Sequence, residues 1–124
     1  MKIRNGFVTN SSSSSFIISV HGSKAEPLIN FFKFMCDEDY FEWPQLIHGM
    51  RDLGTIMDIQ KEMKADEFWG HERLKERIEA QDKTLLDKHF YDLTFERSWW
   101  DFREVLTDLI DSTDGIKIES TDSY

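Results

Sequence analysis

The sequence predicts an α+β fold in which a small antiparallel sheet is packed by about four to five helices. Three observations predict it. Segments Ile3–Thr9 and Phe16–Val20 are rich in β-branched and aromatic residues, the composition of strands. Apolar residues then recur at helical spacing through most of positions 27–110. Finally, Ile116-Lys117-Ile118-Glu119 alternates as a half-buried strand does. A chain of 124 residues fits a single domain over 1–124. Within it the reading places a hairpin at 1–22, a helical body at 23–112, and a strand with a tail at 113–124.

In the expected hairpin, the serine tract Ser11–Ser15 is the loop, and His21-Gly22-Ser23 breaks the second strand. Pro27 suits the first turn of a helix, with Ser23 available as a cap. Leu28, Ile29, Phe31, Phe32, Phe34 and Met35 are apolar on most sides of that helix, so it is expected to be central. Pro44 is expected to open a second helix carrying Leu46, Ile47, Met50 and Leu53, with Gly54 as its stop. Thr55 and Asp58 resemble a capping box with Asp in place of Glu or Gln, ahead of Ile56, Ile59 and Met63. From Lys61 to Lys88 the pattern is charged and helical, divided at Gly70, with Leu74, Ile78, Leu85, Leu86 and Phe90 as its apolar line. Glu79 and Lys83 are an i,i+4 pair on that helix. Ser98 with Asp101 marks a last helix, whose core face is Trp99, Phe102, Val105, Leu106, Leu109 and Ile110.

Composition narrows the function classes. Hydrophobic residues make up 40% of the chain and aromatics 14%, enough for a packed core, which excludes wholesale disorder. No apolar run approaches the roughly 18 residues of a membrane span, so no membrane partner is expected. The formal charge is −9, which argues against duplex DNA binding, since that needs a clustered basic face. The charge is uneven. Residues 1–22 hold only Lys2 and Arg4, while 101–124 hold seven acidic residues against two basic ones. A single cysteine, Cys36, permits neither an intrachain disulfide nor a multi-cysteine zinc site. The basic start lacks the apolar stretch of a secretory signal, so a cytoplasmic location is expected.

Familiar catalytic motifs are missing. There is no Walker-A loop, no G-x-G-x-x-G and no G-x-S-x-G elbow. His71-Glu72 begins like a zinc-protease helix, but Lys75 stands where the second histidine belongs. Glu67 with His71, and His89 with Asp92, each offer two metal ligands and no third. Asp37, Asp39 and Glu42 form an acidic cluster without the spacing of a calcium loop. No enzyme activity and no cofactor are expected.

Two segments carry the functional expectations. In the first, Lys2 and Arg4 stand beside Ser11, Ser12, Ser13, Ser14 and Ser15, a loop of hydroxyls and backbone N–H groups suited to a phosphate or nucleotide. In the second, Trp100, Asp101, Glu104, Asp108 and Asp111 join an aromatic anchor to an acidic helix, a surface for a basic protein.

The N-terminal run Gly6-Phe7-Val8-Thr9-Asn10, Ser11 to Ser15, Phe16 resembles the opening of many small phage and prophage proteins. They share Gly-Phe-Val-[Ser/Thr]-Asn followed by a serine tract and Phe, on bodies that otherwise differ. The resemblance covers about the first 18 residues. It implies phage origin and a shared tag for delivery, processing or recognition, and it implies no activity. Together these features lead to the expectation of a phage accessory protein that binds and modulates a host protein in the host cytoplasm. A nucleotide or phosphate binder using the serine loop, and an acidic nucleic-acid mimic, are the alternatives.

Overall fold

The computed structural model describes residues 13–36, 47–96 and 100–123. Nine elements follow in order: β1 (Ser13–Val20), α1 (Glu26–Met35), β2 (Ile47–Gly54), α2 (Ile56–Lys64), α3 (Glu72–Glu79), a 3-10 turn (Lys83–Leu85), β3 (His89–Glu96), α4 (Trp100–Asp111) and β4 (Ile116–Ser123). The four strands form one sheet in the order β2-β3-β1-β4. Every neighbouring pair is antiparallel. The expected α+β class is therefore the observed one. No helix among the described residues is long and apolar enough to cross a membrane.

Alternation along the strands splits the apolar residues between two faces. Phe16 and Ile18 of β1 join Leu93 and Phe95 of β3 beneath α1 and α4, where Ile29, Phe32, Leu106 and Ile110 complete a first core. On the reverse face Ile17 and Phe90 join Leu53 beneath α2 and α3, with Ile59, Leu74, Ile78 and Leu85. Strand β1 is central and supplies both cores. Its two edges are taken by β3 and β4; the expected first strand, Ile3–Thr9, lies outside the described residues.

The expected helical body contains two strands instead. Residues 47–54, read as helix, are β2. The reason lies in two bulges, at His48 and at Leu53, where β2 spends two residues against one of β3. The bulge at His48 puts Ile47 and Met50, three residues apart, on the first core, and Leu53 then turns to the second, so apolar residues recur at spacings of three and imitate a helix in the sequence. Gly54 ends this strand with φ of +76° rather than capping a helix. Phe90, placed on a helical line, belongs to β3, where Tyr91, Leu93 and Phe95 face the first core at period two.

The charged stretch 61–88, expected to be helical with a division at Gly70, is divided there, with φ of +71° at Gly70, and is broken further by left-handed residues. Asp66, His71, Gln81 and Asp87 all have positive φ and mark the ends of α2, α3 and the 3-10 segment. Helix α3 stops at Glu79, so Glu79 and Lys83 never share a helix; Lys75 pairs with Glu72 at 3.6 Å instead. The Thr55–Asp58 box forms as expected, with Thr55 N–H donating to Asp58 Oδ2 at 2.9 Å.

Helix α1 carries Pro27 in its first turn. Ser23 contributes its carbonyl to Glu26 N–H at 3.1 Å, and the cap position is Ala25. The helix is peripheral, not central: Ile29 and Phe32 are buried while Phe31 and Phe34 are 47% and 46% exposed.

Candidate functional site

The site begins with an irregularity in β4. Ile118 pairs with Ile18 and Ser120 with Ile17, leaving Glu119 as an extra residue. A bulge of this kind re-aims side chains. Glu119 and Ser120, adjacent in sequence, both serve polar groups of the second face, on either side of Ile17. Ser15 and Ser19 share that face, two residues from Ile17 in each direction. A polar seam therefore runs along an otherwise apolar layer.

At one end of the seam lies Glu119, whose side chain has no exposed surface. Its Oε2 accepts from Ser19 Oγ at 2.6 Å, and its Oε1 accepts from Arg77 Nη1 at 2.7 Å. Lys88 Nζ stands 3.4 Å from Oε2 and Lys117 Nζ 4.0 Å from Oε1. Burial pushes the Glu119 carboxyl up, but the hydrogen bonds from Ser19 and Arg77 and the nearby cations more than reverse this. The net result lies below the ordinary carboxylate value. Arg77 extends the chain outward, donating from Nε to Asp82 Oδ2 at 2.9 Å. Asp82, held well below the usual carboxylate range by Thr84 and Arg77, accepts Thr84 N–H at 2.9 Å and caps the 3-10 turn.

The other end is centred on His71, which is 3% exposed. Ser15, wholly enclosed, donates its hydroxyl proton to Asp92 Oδ1, and its oxygen lies 3.0 Å from His71 Nε2. Since the only Ser15 proton points at Asp92, Nε2 is the protonated nitrogen. In the neutral ring Nδ1 then accepts from Ser120 Oγ at 2.8 Å. The backbone is anchored too, as His71 N–H donates to Asp122 Oδ2 at 3.1 Å. This bond helps hold His71 in its left-handed conformation, φ of +54°, at the cap of α3.

Serine, histidine and aspartate are the residue types of a hydrolytic triad, but the connectivity differs. In a triad the carboxylate orients the imidazole through one nitrogen while the other serves the nucleophile. Here Asp92 and Nε2 converge on the same hydroxyl, and a second serine occupies Nδ1. Ser15 has 0% of its surface exposed. The arrangement locks β1, β3, β4 and α3 together and offers no attacking group to a substrate.

The residues singled out in the sequence fall in three places. Lys2, Arg4, Ser11 and Ser12 lie outside the described residues. Ser13, Ser14 and Ser15 belong to β1 and not to a loop; Ser14 and Ser15 are buried, because strand pairing with both β3 and β4 continues through them. On α4, Glu104, Asp108 and Asp111 are exposed, while the side chains of Trp100 and Asp101 lie outside the described residues. Val105 and Leu109, expected in the core, are 52% and 36% exposed. Leu106 and Ile110 alone of the described positions on that helix are buried.

The last turn of α4 contains no basic residue. Its carbonyls are served by hydroxyls instead: Ser112 Oγ donates to Asp108 O at 2.7 Å, and Thr113 Oγ1 to Leu109 O at 2.6 Å.

The weaker constellations resolve as ordinary pairings. His89 pairs with Asp52 at 2.5 Å rather than with Asp92. Asp37, Asp39 and Glu42 lie outside the described residues. Burial pushes the Cys36 thiol up, away from the reactive thiolate. Among the described residues no group of three or more His, Cys, Asp or Glu is placed to hold a metal ion.

The part played by His71 was hidden from sequence reading, since its partners Ser15 and Ser120 lie 56 and 49 residues away. The available signal was a polar side chain at an inward position of an apolar strand, as at Ser15 and Asp92. Comparison of the chain with models of protein families, with characterised proteins and with solved structures gave no match.

Proposed function

We propose that the chain is a non-enzymatic phage accessory protein that binds a basic surface of a host protein and modulates it in the host cytoplasm. The observation that supports this reading most is the outer face of α4. Asp108 and Asp111 are exposed in its last two turns, where no basic residue balances them. A helix C-terminus carries partial negative charge, so stability alone favours Lys or Arg there. A local rule broken on a surface marks a place where something other than folding sets the residue type. Val105 and Leu109 stand exposed on the same helix, giving the acidic face an apolar strip. Acidic side chains steer a basic partner into place, and desolvated apolar side chains then hold it. The N-terminal resemblance supplies the phage context.

The test is affinity purification from infected host cells with the full chain as bait, compared with an E104K/D108K variant. A host protein retained by the first and lost by the second, with retention falling as salt is raised, is the expected result. Equal capture by both baits would remove α4 as the binding face.

A further inference from the structure

Strand β4 ends the sheet on one side. It pairs with β1 along one edge and with no other described strand along the other. Such an edge presents backbone N–H and C=O groups as a template for a further strand.

The bulge at Glu119 decides which strand fits. Before it, Ile116 and Ile118 lie opposite Val20 and Ile18 on the first face, and Lys117 lies opposite Ser19 on the second. In a regular strand position 122, an odd number of residues beyond 117, would fall on the other face. The extra residue resets the alternation, so that Ser120, Thr121, Asp122 and Ser123 oppose Ile17, Phe16, Ser15 and Ser14. Asp122 thus shares the second face with Lys117, and Thr121 shares the first with Ile118. Counted outward from the junction of Glu119 and Ser120, the faces follow the same order in both directions. A strand with that symmetry matches a copy of itself turned end for end, since residues directly opposite in an antiparallel pair share a face.

The charges agree with this register. An axis between Glu119 and Ser120 sets Lys117 opposite Asp122, Ile118 opposite Thr121 and Ile116 opposite Ser123. Lys117 is exposed and stands 4.0 Å from Glu119, a carboxylate already held by Arg77 at 2.7 Å. Asp122 accepts His71 N–H through Oδ2 at 3.1 Å, and a carboxylate has room for more than one donor. Each contact across a two-fold axis occurs twice, so the opposite charges meet twice. An axis placed on Lys117 or on Asp122 would set like charges against each other.

We propose that β4 pairs antiparallel with β4 of a second copy of this chain, about a two-fold axis between Glu119 and Ser120. The two sheets then continue as one, with Lys117 of each copy against Asp122 of the other. The proposal stands apart from the host-protein reading and does not depend on it.

The experiment is sedimentation equilibrium of the full chain from micromolar to near-millimolar concentration, joined to amide hydrogen exchange. The expected mass rises with concentration from 14.7 kDa toward twice that value. K117Q is expected to weaken association by about threefold and K117E by about tenfold or more. K64E, on α2 beside β2 at the opposite edge, is expected to leave it unchanged. Because Lys117 is exposed, both substitutions at it are expected to keep the fold, which circular dichroism of the dilute proteins verifies. A chain that stays monomeric throughout overturns the pairing. If every β4 amide of that monomer is protected from exchange, the edge belongs to a segment of the same chain. Association that K117Q and K117E leave unchanged, or that K64E weakens equally, overturns β4 as the interface.

Discussion

Glu119 Oε1 lies 2.7 Å from Arg77 Nη1, an ion pair that ties a bulge in β4 to the outer side of α3. The carboxylate is fully enclosed and the guanidinium is 30% exposed, so the strand supplies the buried partner and the helix the half-solvated one. Such a pair is costly to break from one side, because the remaining charge or dipole stays where it was.

E119Q is therefore expected to lose about 1.5–3 kcal/mol of stability, the range of hydrogen bonds to charged groups. Urea denaturation at neutral pH measures it. The acid limb of stability carries a second signature. Glu119 titrates below its ordinary value in the folded state, so its contribution is complete above the ordinary carboxylate pKa. It is lost as pH falls through the lower, folded one. Below about pH 5 the urea midpoint of the wild type is expected to fall more steeply than that of E119Q. Parallel curves would separate Glu119 from the acid sensitivity of the fold.

Ser15 holds the other end of the seam. S15A removes a hydroxyl shared by His71 and Asp92 in a site closed to water, with an expected loss of about 1–3 kcal/mol. Position 71 adds a conformational condition, since its φ of +54° suits asparagine better than alanine. Thermal midpoints are expected in the order wild type, H71N, H71A. The reverse order of the two variants would place hydrogen-bond geometry above backbone strain.

Two glycines separate strain from crowding. Gly22 and Gly115 have φ of +75° and +83°, so alanine at either costs about 1–2 kcal/mol. A Cβ at Gly22 meets open space, whereas one at Gly115 would lie 2.8 Å from the carbonyl oxygen of His21. That oxygen is backbone, and the adjoining His21 N–H donates to Gly115 O at 2.8 Å. G115A is expected to cost at least 1 kcal/mol more than G22A, in the range of overpacked sites. Chemical denaturation of the two variants gives the difference directly.

On α4 stability and binding are expected to move in opposite directions. D111K places a cation at the C-terminal end of the helix and should raise stability by about 0.3–1 kcal/mol. The same change should weaken capture of the host protein. A variant that gains stability and keeps capture would assign the acidic residue a different role.

Local rules were the legible part of this fold. Thr55 and Asp58 are three residues apart, so their box closes within one helical turn and needs no distant partner. Ile116–Glu119 shows its alternation before any partner is known. β2 was illegible because its bulges are set by pairing with β3 some forty residues later, and Ile47, Met50 and Leu53 carry a helix-like interval as a result. The serine tract misled for a related reason. Serine composition suggests a loop, yet Ser14 and Ser15 are enclosed because a central strand has no exposed edge at which to end. The acidic character of α4 was readable from its residues, whereas exposure of Val105 and Leu109 required knowing which side of the helix meets the sheet. The network around His71 could not be assembled from spacing, because it gathers groups from β1, β3 and β4.

The place of β1 between β3 and β4 also governs when the molecule can fold. Ser19 and Glu119, hydrogen-bonded in the finished sheet, are 100 residues apart. During synthesis β1 emerges early, with Phe16, Ile17 and Ile18 pointing to both sides, and neither neighbouring strand yet exists. Closing contacts over such separations is slow compared with forming α1 or α2. Of the described strands β1 is thus translated first and gains its second neighbour only when β4, the last, has been made. The interval is one in which a chaperone has the opportunity to act.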